Sequence, residues 1–284
     1  MDGNIERLTN EIVRLIKTIL NPTSSSEDRK IAHELYENFK ETSPFCAKCG
    51  FALIARCNPP AVRHCAFQLI EYHIKLRWYN IDEDERVWIK NSIMHVIYSG
   101  MGPVNEEEPH VKDAVSKIVV EIIKREWPQQ WTSLMDELHS LCGLGDTQKE
   151  LVLLIFSRLA DDIVQFQNLP EKRRKEIYTS LCSCLRDLFE FFLRTLFDNS
   201  EKYLTNKKLN VMDTETLISG RLIRVTLDTL CAFVDWVQII YIVNTGRLIE
   251  VICNLLSCPD LRMDAIKCLL YILDRKYIRR AQPR

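Results

Sequence analysis

Four cysteines and one histidine crowd into twenty consecutive residues: Cys46, Cys49, Cys57, His64 and Cys65. Thiolate sulfur and imidazole nitrogen are ligands that suit zinc, so this grouping is the first candidate for metal chemistry. Zinc needs ligand pairs on converging turns, however, and Cys57 and Cys65 do not repeat the spacing of Cys46 and Cys49. Cys46 and Cys49 also sit in a helical apolar pattern that Phe51 and Ile54 continue. Reduced cysteines in such a pattern pack as small hydrophobes. The expectation is a buried structural pair and no metal. A thiol or metal protein built on this segment is the third-ranked reading of the chain. Cys182 and Cys184, two apart on a helix, point in different directions.

The remaining candidates for catalysis are weaker. The histidines have no nucleophile patterned around them, and His64 and His73 lie among apolar residues of one helix, which reads as packing. Gly143-Leu144-Gly145 lacks the strand and the lysine of a phosphate-binding loop. Asp161-Asp162 reads as a solvated helix face, and Glu106 to Glu108 as a charged loop. No enzyme, catalytic residue or cofactor is expected. Lys172-Arg173-Arg174-Lys175 follows Pro170 at a helix start, where a solvated turn is preferred over a nuclear-import tag or an RNA contact.

These residues need elements to hold them, and the elements are helices. Glycine is scarce, eight in 284 residues, and 46% of the chain is apolar with few alternating β-branched runs. The 38 basic and 39 acidic side chains nearly cancel, so totals show no general attraction to nucleic acid or anionic membrane. No run reaches the roughly 18 apolar residues of a bilayer span. The polar, acidic start MDGNIERLTNEI is unlike a secretory signal, and the odd number of cysteines, 11, suits a reducing intracellular compartment.

Periodicity predicts helices over about 4–20, from about 25 to the break at Ser43-Pro44, then 45–57, 60–78, 83–98, 110–127, 131–141, 146–166, 170–197, 214–238, 245–257 and 260–276. Ser24 to Ser26 offer N-caps for the second, with Ile31, Leu35 and Phe39 along its apolar side. The segment 100–109 is a loop and 199–213 a polar connection. In the helix from 110, Val111, Val115, Ile118 and Ile122 recur on one side. Pro128 ends it and suits the first turn of the next, so two helices should meet with almost no linker, flanked by Trp127 and Trp131. Twelve or so helices in antiparallel pairs, at intervals straddling a period of about 40–47, read as an all-α solenoid of HEAT-type repeats.

In such an array function resides on surfaces, and second helices line the binding side. The polar stripe on 60–78 is His64, Gln68, Glu71 and Lys75; on 110–127 it is Asp113, Lys117, Glu121 and Lys124. Mixed charge of this kind suits a protein partner more than a bare phosphate backbone.

Three segments carry a resemblance: AVRHCAFQLIEYHIKLRW (61–78), VKDAVSKIVVEIIKREWPQQW (111–131) and TQKELVLLIFSRLADDIVQFQNLPEKRR (147–174). With them nearly all of 1–275 resembles the N-terminal part of the exportins, nuclear transport receptors of the importin-β (karyopherin) superfamily. Residues 276–284 depart from the pattern. The resemblance implies a HEAT-repeat α-solenoid forming a right-handed superhelical arch. It implies importin-β N-terminal-type repeats over 1–100 and exportin-type repeats over 101–284, as one continuous array. The implied partners are Ran in its GTP form, structured RNA such as microRNA precursors and tRNA, and nuclear pore proteins, with shuttling between nucleus and cytoplasm and no membrane. Family members engage Ran with the inner helices of their first repeats, which assigns the two stripes, helix by helix, to Ran. Such receptors are much longer, so this chain is expected to be one portion of a receptor. The competing reading is a HEAT-repeat interaction scaffold without a GTPase partner.

Overall fold

The structure is a computed structural model that describes residues 2–164, 169–234 and 236–278. Among the described residues the regular elements are α-helices and one 3₁₀ turn. They sort into two compact units, residues 1–101 with 107–125, and residues 102–106 with 126–284.

The first unit holds α1 (Asp2–Leu20), α2 (Ser26–Thr42), α3 (Cys46–Leu53), α4 (Pro60–Arg77), α5 (Glu83–Ser99) and α6 (Pro109–Glu126, up to Arg125). Local chemistry sets the ends. The Ser25 side chain accepts the Asp28 amide at the start of α2, and Asp82 accepts the Glu85 amide at 2.7 Å to start α5. Pro60 supplies the first turn of α4, where its missing N–H goes unneeded. Two layers result. α1 packs on α2 and α3, and α3 on α4. Phe51 of α3 meets Trp88 of α5 edge to face, ring centroids 5.1 Å apart. In the other layer the Tyr36 hydroxyl of α2 donates to the Cys65 carbonyl of α4 at 3.1 Å, and α4 lies beside α6. Ile12, Ile16, Tyr36, Cys46, Cys49, Leu53, Val62, Ala66 and Leu69 form a core between the layers.

One face differs from expectation. Ile31 and Leu35 are 47% and 50% exposed, while Ala32 and Tyr36 are buried. The buried side of α2 is turned by one residue from its most apolar line, because Tyr36 is large and its hydroxyl finds a carbonyl across the layer.

The second unit holds α7 (Leu134–Cys142), α8 (Asp146–Val164), α9 (Glu171–Ser183), α10 (Leu185–Lys208), α11 (Thr214–Val234), α12 (Ile239–Val243), α13 (Leu248–Asn254), a 3₁₀ turn Leu255–Ser257, and α14 (Arg262–Ile278). α8, α11 and α14 pack side by side, and α7, α10 and α13 cover them. Both units are thus paired helices in two layers, the packing of an all-α HEAT-repeat solenoid.

Three expectations fail here. The helix does not restart at Pro128: the chain turns through 127–133 and α7 begins at Leu134. The Trp127-Pro128 peptide is cis, and both tryptophans are buried. Burying two indoles so close in sequence takes a turn, and the Trp131 Nε1–H finds the Glu137 carboxylate at 3.2 Å. The helix expected over 170–197 is interrupted at Cys184, whose amide takes the Leu181 carbonyl in a tighter turn. The expected connection 199–213 is helical to Lys208, because Asn199, Ser200 and Tyr203 face inward: Asn199 donates to the Thr195 carbonyl and Tyr203 to Asp260. The expected helix residues 165–166 and 235, and the departing residues 279–284, lie outside the described residues.

Candidate partner-binding face

α4 and α6 carry the two polar stripes, and the structure brings them together on one side of the first unit. On α4, Val62, Ala66, Leu69 and His73 turn inward, so that Gln68 and Lys75 are exposed and His64 and Glu71 half-buried. His64 Nδ1 lies 3.2 Å from the His110 carbonyl at the start of α6, and Gln68 Nε2 lies 3.1 Å from His64 Nε2. The tautomer with hydrogen on Nδ1 satisfies both contacts, since a carbonyl only accepts. The His64 and His110 rings meet at 5.1 Å between centroids. One turn on, Lys75 pairs with Glu71 at 2.5 Å.

On α6, Asp113 and Lys117 form a half-exposed pair at 2.7 Å. Glu121 departs from the expectation of a wet stripe. It is 6% exposed and takes Lys124 at 2.5 Å and Arg125 at 2.6 Å. Burial pushes its carboxyl pKa up, but the hydrogen bonds and charges of Lys124 and Arg125 outweigh that and hold it below the ordinary range. Arg125 then reaches across to α4, donating to the Lys75 carbonyl at 3.2 Å. α6 is apolar on more than one face: Ala114, Val119, Val120 and Ile123 are buried along with Val111, Val115, Ile118 and Ile122.

Sequence reasoning missed one pair. Arg63, beside His64, meets Glu107 at 2.6 Å with side chains 6% and 3% exposed. Arg63 Nε also donates to the Ile54 carbonyl at 3.0 Å. A signal was present: Arg63, Phe67, Ile70 and Ile74 follow helical spacing, and all four are buried.

The other candidates resolve as structure. Cys46 Sγ donates to the Leu69 carbonyl at 3.3 Å inside the core, as the apolar pattern of α3 implied. Burial pushes the Cys46 thiol up to about 12 and that of Cys49 to about 11, so both stay protonated and poorly nucleophilic. Cys57 is exposed and Cys65 half-buried, away from that arrangement. His73 is buried in α4, and burial, with Arg77 and Lys48, lowers its pKa to about 4. In the second unit the basic run divides. Arg173 donates to Gln129 Oε1 and the Trp127 carbonyl, bracing the tryptophan corner, while Lys172 and Lys175 are exposed. Among the described residues no three His, Cys, Asp or Glu side chains converge as metal ligands would, and no helix is long and apolar enough to cross a membrane.

The α4–α6 face offers one amide, two imidazoles and a row of charges, three acids against four bases, each charge already paired with a neighbour. Such a surface recognises a partner by geometry and by exchange of ion pairs.

Comparison with known proteins identifies the family. Residues 108–269 match the family described as "Exportin 1-like protein", and residues 32–99 match "Importin-beta N-terminal domain". The chain is 38% identical over 273 residues to Exportin-5 of Mus musculus, covering 96% of this chain and 23% of that protein. It is 30% identical over 286 residues to Exportin-5 of Dictyostelium discoideum, covering 97% and 24%. Against Protein HASTY 1 of Arabidopsis thaliana the identity is 24% over 268 residues, covering 93% and 22%. The chain thus spans about a quarter of the length of the curated relatives it matches.

Proposed function

The chain belongs to the exportin family of the importin-β superfamily, and on that premise we propose that it is the part of a nuclear export receptor that binds the GTP form of Ran. The same proposal includes a share in exporting structured RNA, microRNA precursors and tRNA, from nucleus to cytoplasm, with nuclear pore proteins as further partners. The residues taken to meet Ran are His64, Gln68, Glu71, Lys75, Asp113, Lys117 and Lys124. Glu121 acts from beneath, holding Lys124 and Arg125 in place.

The single observation that carries the reading is the adjacency of the two stripes on α4 and α6, joined at His64–His110 and at Arg125–Lys75. Two separate wet helix sides would be ordinary. One composite mixed-charge face shared by the importin-β-type and exportin-type repeats is what a protein partner needs. The family matches support taking 1–100 and 101–284 as successive repeat sets. Ran and cargo bind cooperatively in this reading because both favour the same arrangement of stacked pairs, and GTP hydrolysis removes the Ran contribution and frees cargo.

The test is a pull-down with Ran locked in its GTP and GDP states. Capture of the GTP form alone is expected. Equal capture of both sinks the reading and leaves a scaffold whose partners ignore nucleotide.

A further inference from the structure

α6 presents a packing problem. Ala114, Val115, Ile118, Val119, Val120, Ile122 and Ile123 are all buried, so the helix is apolar around most of its circumference. A helix of that kind buries nearly the same area in several rotations about its axis, because the hydrophobic effect has no direction. A slip of one residue moves it only about 1.5 Å along its axis and turns it by about 100°. That slip would carry Asp113, Lys117 and Lys124 off the face they share with α4. Apolar packing alone leaves the choice open, and something directional must make it.

Two guanidinium groups occupy the places where such a choice would be made. At one end Arg63 of α4 meets Glu107, two residues before α6 begins, and its Nε holds the Ile54 carbonyl at the end of α3. At the other end Arg125 of α6 holds the Glu121 carboxylate, the Glu121 carbonyl at 2.7 Å and the Lys75 carbonyl of α4 at 3.2 Å. Between these pins lie Gln68, Glu71, Asp113 and Lys117. A guanidinium donates in a fixed planar fork, so each pin accepts one orientation. A buried ion pair such as Arg63–Glu107 contributes little net stability, since desolvation offsets its attraction, and its best-attested role is to select one register.

We propose that Arg63, Glu107 and Arg125 are positioning residues that fix the rotation and register of α6 against α4, and so set the spacing of the partner-binding face. They act through His64, Lys75 and Lys124. That consequence for binding rests on the function proposed above; the claim about register does not.

The experiment uses the whole chain and two main variants, Arg63→Met/Glu107→Leu and Arg125→Met, with Arg125→Lys as the conservative control. Three quantities are measured: the thermal midpoint by circular dichroism, amide exchange across 105–125 by mass spectrometry, and affinity for Ran loaded with a non-hydrolysable GTP analogue. The double variant should keep its midpoint, while exchange over the start of α6 speeds about tenfold and affinity falls about tenfold. Arg125→Met should do the same at the end of α6, and Arg125→Lys, which keeps charge but not the fork, should not rescue it. Unchanged exchange in both variants overturns the proposal. So does a double variant that fails to fold, for the pair would then be there for stability. If the native chain binds neither form of Ran, the functional reading fails, and the exchange data still decide the question of register.

Discussion

At the residue scale the decisive facts concern polar groups without water. His73 is buried, and although the Glu85 carboxylate 3.5 Å from its Nε2 favours a protonated ring, burial outweighs it. Burial dominates, with the Arg77 and Lys48 charges adding to it, and the folded pKa falls to about 4 from 6.5. A depressed pKa means the unfolded chain binds the extra proton first, so the stability tied to neutral His73 is complete above pH 6.5 and is lost as pH falls toward 4. Between pH 7.5 and 5 the thermal midpoint should drop by about a few degrees, and His73→Leu should flatten that slope. A variant as steep as the native chain would acquit His73. Glu121 shows the opposite outcome for a buried group: two cations hold it ionised.

At the element scale the layers are set by how closely helices approach. Gly50 lets α3 lie against α4. A Cβ there would stand 2.6 Å from Ile70 Cγ1 and 2.8 Å from the Ala66 carbonyl oxygen, and the backbone atom cannot move aside. Gly50→Ala should cost about 1–3 kcal/mol as overpacking, seen as a lower denaturant midpoint. Gly3→Ala, with nothing within 4 Å, is the control and should leave the midpoint level or slightly raised. Equal midpoints for the two would mean that the layers relax freely. Most helix positions were legible from periodicity, caps and proline. The extension of α10 was not, because its inward residues after Leu196 are Asn199, Ser200 and Tyr203, which an apolar pattern does not count.

At the scale of the whole molecule the near balance of 38 bases and 39 acids matters. A protein reading bare phosphate backbone through several contacts loses about 10³–10⁵ in affinity between about 50 and 200 mM salt. The α4–α6 face has its charges paired beforehand, so binding there exchanges ion pairs and releases few counterions. On the proposed reading, affinity for Ran in its GTP form should fall by less than about tenfold over that range, measured by fluorescence anisotropy. A steep loss would transfer the binding to exposed bases such as Lys172 and Lys175.

The sequence by itself determined the all-α class, the run of paired helices, the burial of Cys46 and Cys49 and which helices carry polar stripes. Each of these depends on spacing within one helix, and spacing is written in the chain. Tertiary structure decided which charges are wet. Arg63 looks like a surface residue until Glu107 and a carbonyl from another element stand beside it, and Glu121, paired within its own helix, looks like one until the helices pack around it. A buried charge is tolerable only with its partner in place, and partners far apart in the chain meet only once the helices have packed.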